Sequence, residues 1–305
     1  MLLKFAIQDF LSDRKFRNLS QTTINSYEYT LQIFHQYAVH QCEITDVTDI
    51  RTDVIKAFLV NEQEVQKNKP ASINTKLKNL NAFFNYMIEI EVIESNPAKK
   101  LKKQKEDIHI DVFTDHHIRK MLDYYKRQKR KEYSFYAYRN YTIIVFLLGT
   151  GVRLGEMCNL RWSDVDFERK QISIFGKKRM VNTLPITDKL TKDLAEYRMF
   201  CESHFGALSD YVFVNQKNER LTENAVQNVF KYLSKMMNFR DVRLSAHTFR
   251  HTFAHRYLMN GGDVFSLQKL LRHEKLDMVE KYLALWGEDL QEQNEKYNPM
   301  NHLDI

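Results

Sequence analysis

Residues 246–285 read AHTFRHTFAHRYLMNGGDVFSLQKLLRHEKLDMVEKYLAL. Ser245, just before this stretch, is a good helix cap, and a helix starting at Ala246 puts His247 and Arg250, at i and i+3, on one face. Two side chains able to carry positive charge then point at one spot. His273 follows, and Tyr282 stands nine residues after it. An arginine fork suits two phosphate oxygens, an imidazole exchanges protons near neutral pH, and a phenol can act as a nucleophile. Together they predict phosphate-ester chemistry through a covalent tyrosyl intermediate. In a chain with 16 tyrosines and 11 histidines any one of these residues alone reads as packing or surface, so the conjunction carries the reading.

A second block, GTGVRLGEMCNLRWSDVDF at 149–167, follows an apolar helix carrying Tyr141, Ile144, Val145, Leu147 and Leu148. Gly149 and Gly151 end that helix where tight turns are easiest, so Arg153 sits on the turn or first helical residues after a rigid core element. Glu156, three residues on, either pairs with Arg153 on a helix surface or holds its fork for a phosphate. QISIF (171–175) and VNTLPI (181–186) read as strands of a β-hairpin around GKKRM (176–180), with Lys177 and Lys178 at its tip. Asp164 and Asp166 form a D-x-D without a companion carboxylate or histidine set, so that segment reads as a turn leading into a strand and no metal is expected.

These blocks, in this order, resemble the tyrosine recombinase (phage integrase) family. The family pattern is an arginine in a TGxRxxE turn, a hairpin lysine about two dozen residues on, HxxRH, a further His or Trp, and a tyrosine after it. The resemblance implies Arg153, Lys177, His247, Arg250, His273 and Tyr282 as catalytic residues, with Glu156 in support and Lys178 as the fallback hairpin lysine. It implies that Tyr282 attacks a DNA phosphate, Arg153 and Arg250 neutralise the non-bridging oxygens, His247 takes the phenol proton and Lys177 protonates the departing 5′ oxygen. One ester replaces another, so no cofactor, ATP or metal is needed; neither a Walker loop nor a carboxylate cluster is present in the sequence. The expected partner is double-stranded DNA with inverted-repeat half-sites, bound by a homo-tetramer that is a monomer or weak oligomer when free. A type IB topoisomerase-like nicking enzyme and a non-catalytic DNA-binding regulator are the rival readings. Two residues depart from the pattern: Arg272 stands where glycine commonly precedes the second histidine, and Met278 where a small hydroxyl residue is frequent.

Outward from these blocks, 305 residues with only 8 Gly and 4 Pro favour long helices, in two domains each able to bury a core. Stripes at Leu3–Leu11, a second helix capped by Ser20, a third after Thr52 and a fourth opened by Pro70 make a helical domain over 1–104. Residues 105–111 link it to a catalytic domain over 112–305, whose first helix Thr114 caps and whose tail beyond Trp286 is expected to form a helix docking on a neighbouring protomer. Helices near 188–203 and 222–238 flank a short strand at Tyr211–Val214. The fold expected is mainly α with a small β-hairpin or sheet (α+β): an N-terminal SAM-like core-binding domain and a tyrosine-recombinase catalytic domain.

Polar positions of the second and fourth helices suit phosphates and base edges, and Asn25, Asn74, Lys76 and Lys78 are assigned to DNA. Lys100, Lys102 and Lys103, in the run AKKLKKQKED at 98–107, are assigned to the duplex backbone. A net charge of +7 agrees with a polyanion partner, and three dispersed cysteines with a reducing compartment. No apolar run is long enough to span a bilayer, so a cytoplasmic protein without a membrane partner is expected.

Overall fold

The structure, a computed structural model, describes residues 1–106, 110–175, 181–272 and Glu295. It divides into two compact units, Met1–Ile108 and His109–Ile305. Among the described residues no helix is long and apolar enough to cross a membrane.

The described residues of the first unit pack four α-helices: α1 (Leu3–Phe16), α2 (Gln21–Cys42), α3 (Thr52–Glu64) and α4 (Pro70–Glu89). Ser20 opens α2 by accepting the Thr23 N–H, and Pro70, which needs no donor at a first helical position, opens α4. Glu43 closes α2 in the left-handed region, at φ 56°. The stripes meet in a core of Phe10, Leu31, Phe34, Phe58, Leu80, Phe83 and Phe84. Its rings meet edge to face, Phe34 on Phe58 at 5.2 Å and Phe10 on Phe83 at 5.6 Å between centroids.

The polar residues of α4 correct one expectation. Asn74 and Lys76, assigned to DNA, are 7 % and 6 % exposed, and neighbouring Asn79 is 5 % exposed. Positions 73, 76, 77, 80, 83 and 84 share the inward face, so Lys76 turns in with Leu77 and Leu80. Its ammonium lies 3.2 Å from the Glu62 carboxylate, which also accepts a hydrogen bond from Asn68. Asn79 donates to Ser26 and Thr30 of α2. Asn74 fastens the chain that leaves the unit, donating to the Gln104 carbonyl and accepting the Gln104 N–H at 2.8 Å, with Glu106 as a further acceptor. These three side chains are spent on the unit's interior. Asn25, Lys78, Lys100, Lys102 and Lys103 are exposed.

The second unit is built around a helix buried on most sides. It comprises α5 (Asp115–Glu132), α6 (Phe135–Thr150), α7 (Leu154–Asn159), β1 (Val165–Asp166), β2 (Gln171–Phe175), β3 (Val181–Pro185), α8 (Asp188–Phe205), α9 (Glu223–Met237), α10 (Ala246–Met259) and α11 (Val264–Leu271). Ala137, Tyr141, Ile143, Ile144, Phe146 and Leu147 of α6 are buried, and α5, α8 and α10 pack against it. Among the described residues three strands form one antiparallel sheet in the order β1-β2-β3, with Ile172 opposite both Val165 and Leu184. Ile172 and Ile174 face the core while Gln171 and Ser173 are half-buried, the alternation of a one-sided sheet.

One local reading differs from the sequence. Tyr211–Val214 forms no strand: it makes single bridges, Tyr211 to Arg161 and Val214 to Arg220, and its residues 212–214 are buried without a ladder. Each neighbour runs alongside for one residue only, which is too short for pairing to propagate. The D-x-D segment is a turn leading into a strand, as expected: a single 3-10 turn at Trp162–Asp164 runs into the two-residue β1, with Asp166 accepting the Glu168 and Arg169 N–H groups and Asp164 accepting that of Arg161. The hairpin tip 176–180, the segment Leu276–Leu285 and all of the tail except Glu295 lie outside the described residues.

Candidate active site

The site begins at the end of α6. Gly151 adopts φ 59°, and a Cβ there would lie 2.6 Å from the Phe253 ring and 3.0 Å from Leu271. Both the backbone conformation and the available space therefore require glycine. The turn delivers Arg153 to the cap of α7, where Glu156 grips it twice. One carboxylate oxygen accepts the Arg153 backbone N–H at 2.8 Å and the other accepts Nη1 at 2.9 Å. This is a capping box that simultaneously orients a guanidinium, so the ion-pair and the phosphate-holding readings of Glu156 describe one geometry. The Arg153 side chain remains 40 % exposed and can reach a ligand.

Ser245 caps α10 by accepting the Thr248 N–H. From that start Phe249, Thr252 and Ala254 go into the core, and Thr252 accepts the Phe113 N–H at 2.8 Å. Arg250 is 6 % exposed, and its guanidinium donates to the carbonyls of Gly151 at 2.7 Å and Leu271 at 2.6 Å. These carbonyls lie at the C-terminal ends of α6 and α11, where helix dipoles favour a cation. Arg153 reaches the next carbonyl of the same end, Arg272, at 3.5 Å. The two arginines are thus referenced to one scaffold.

His247 is exposed beside them, and its ring faces that of His251 at 6.4 Å. Burial, then the charges of His247 and Arg250, push the His251 pKa down to about 4 against the pull of Asp111. His251 is therefore neutral at physiological pH, so it does not compete with the arginines for an anion. For Glu156, burial works to raise the pKa, and the Arg272 charge with the Arg153 hydrogen bonds outweighs it, keeping the carboxylate ionised.

Arg153, Glu156, His247 and Arg250 all line one cleft of about 1320 Å³, which extends past Arg161, Lys231 and Arg243. That space exceeds what a single phosphate needs. Among the described residues no group of three or more His, Cys, Asp or Glu is arranged to hold a metal. The structure brings together four of the residues expected at the site, counting Glu156; Lys177, His273 and Tyr282 lie outside the described residues. Sequence reasoning singled out Arg272 but not its partner: the guanidinium meets Glu156 at 2.5 Å. Its only signal was an arginine at a position where the resemblance expects glycine.

Residues 111–287 match the phage integrase family, and residues 7–90 match the phage integrase N-terminal SAM-like domain. The chain belongs to the phage integrase family. Among curated members of that family, it is 26 % identical to tyrosine recombinase XerC of Roseiflexus castenholzii over 88 % of this chain and 85 % of that protein. It is 25 % identical to the XerC of Thermodesulfovibrio yellowstonii over 99 % of this chain and 98 % of that one. In fold it is similar to the Tn1549 transposon integrase in complex with transposon right end DNA, with a TM-score of 0.79 and 20 % identity over 98 % of this chain and 99 % of that chain. It is also similar to a lambda integrase tetramer bound to a Holliday junction, with a TM-score of 0.74 and 18 % identity, over 95 % of this chain and 79 % of that chain.

Proposed function

We propose that this chain is a site-specific DNA recombinase that cleaves and rejoins strands through a 3′-phosphotyrosyl intermediate. The observation that carries the reading is the pair Arg153 and Arg250, drawn from different elements onto adjoining carbonyls at the wall of one wide cleft. Two forks fixed before the substrate arrives can neutralise the non-bridging oxygens as charge grows at phosphorus, with no reorganisation during the reaction.

In this reading the Tyr282 oxygen bonds to phosphorus and the bond from phosphorus to the 5′ oxygen breaks. His247 accepts the phenol proton, and its exposure at the cleft gives it access to an incoming side chain. Lys177 protonates the leaving oxygen, and His273 adds a hydrogen bond to the phosphate. The reverse attack by a 5′-hydroxyl rejoins a strand, so bond energy is conserved. Residues 1–104 serve as a DNA-binding domain, 105–111 as the link and 112–305 as the catalytic domain. The substrate is double-stranded DNA with inverted half-sites, the working form on DNA is a homo-tetramer, and the reaction takes place in the cytoplasm. Family membership and the DNA held by the similar structures support this.

The test is a nicked suicide duplex carrying a site that the protein selects from random-sequence DNA. Wild-type protein should form a covalent adduct that survives a denaturing gel, and Tyr282→Phe should bind the duplex without forming one. An adduct in that variant removes Tyr282 as nucleophile, and relaxation of plasmid lacking any selected site points to a topoisomerase instead.

A further inference from the structure

Arg272 carries three local costs at one residue. It caps α11 at φ 54°, a conformation that glycine adopts more readily than any side-chain-bearing residue. Its side chain is only 7 % exposed, so a guanidinium has been taken out of water. Its Nε–H is buried with no hydrogen-bond partner among the described residues. Costs that cluster on a residue bonded to Glu156, which lines the cleft, point to a role at that site.

The contacts say which role. Glu156 uses one oxygen on Arg153 Nη1, and the other on both the Arg153 backbone N–H and Arg272 Nη2, the last at 2.5 Å. A second nitrogen of Arg272 is tied to the Leu270 carbonyl at 3.0 Å. The carboxylate that aims Arg153 is therefore itself anchored from behind. A lone arginine and glutamate would also cancel, presenting a phosphate with a dipole instead of a charge. Elsewhere on the cleft wall Asp111, Asp164 and Glu223 are matched in number by Arg161, Lys231 and Arg243, so the charge presented at the arginine pair depends on the groups next to it.

We propose that Arg272 is a positioning residue that acts through Glu156: it fixes the Arg153 guanidinium and leaves the Arg153–Glu156–Arg272 trio with a net positive charge facing the substrate phosphate. This rests on the recombinase reading of the site. Arg272 does not touch the reacting atoms in this role; it ensures that Arg153 meets them charged and correctly turned.

The test measures single-turnover adduct formation and duplex affinity in the full chain, on the nicked duplex selected by the wild-type protein. Arg272→Gly removes the guanidinium and relaxes the backbone. It should slow adduct formation by about tenfold or more while duplex affinity stays within about twofold. Arg272→Lys should recover most of the rate, because a single donor serves Glu156. In a Glu156→Gln background the carboxylate is gone, so adding Arg272→Gly should cost less than about threefold. Thermal midpoints check folding, and Arg272→Gln, held to the same outcomes, replaces the glycine variant if its midpoint falls.

Arg272→Gly reacting as fast as wild type overturns the proposal. So does a loss that is undiminished in the Glu156→Gln background, or one that lysine does not relieve. Failure of the wild-type chain to form any adduct on a duplex it binds overturns the recombinase reading itself, and is told apart by the wild-type lane alone.

Discussion

At Arg153 and Arg250 the decisive property is the planar fork. Each has part of its guanidinium committed to protein oxygens, which holds the plane of the fork in place at the cleft wall. A lysine would supply charge but neither the second donor nor the angle. Arg153→Lys and Arg250→Lys should each lower single-turnover strand cleavage by ~10²-fold or more. His251 gives a pH signature. Its folded pKa of about 4 lies below the unfolded value, so the stability it confers is fully present above about pH 6.5 and is lost as pH falls toward 4. Melting curves of His251→Asn and wild type should therefore converge, or cross in favour of the variant, over that window. A constant difference between the curves would mean that His251 does not titrate there.

At the scale of elements, the starts of helices were legible because capping is local. Ser20, Thr114 and Ser245 each accept the backbone N–H three residues on, as their positions predict. Ser245→Ala should cost about 1 kcal/mol in urea unfolding and slow cleavage as well, since α10 carries both His247 and Arg250. The run at 141–148 also announced itself, by being apolar on every side. What stayed hidden depends on partners distant in sequence. Nothing near Lys76 says that Glu62 waits on α3, and nothing near Arg272 says that Glu156 does. Tyr211–Val214 looked like a strand because it is apolar, and burial without a ladder produces the same composition. Lysines 76 and 78 make the distinction measurable. Lys76→Ala strands a buried carboxylate and should destabilise the N-terminal unit by about 3 kcal/mol, whereas exposed Lys78→Gln should alter stability by less than about 0.5 kcal/mol.

For the whole molecule the question is how a chain of net charge +7 holds a polyanion. Lys99, Lys100, Lys102 and Lys103 are exposed, on a segment that Asn74 ties to α4, so they are presented from a fixed base. Replacing all four by glutamine should flatten the plot of log affinity against log salt by up to ~0.9 for each phosphate that is no longer neutralised. An unchanged slope would take the segment out of the interface. Truncation after Gly287 tests the tail assigned to protomer coupling: single-site binding should persist while pairing of two sites weakens, and wild-type recombination by the shortened chain would remove that role.

Gly151 sets a boundary for anyone redirecting this protein to new sites. A methyl group at that position would meet Phe253 and Leu271, and the carbonyl it carries steers Arg250. Libraries that randomise the outer wall, at Gln227, Lys231 or Arg243, leave that junction alone and can be screened for altered sequence choice. A library that includes 151 would mostly sample dead proteins, whatever DNA is offered.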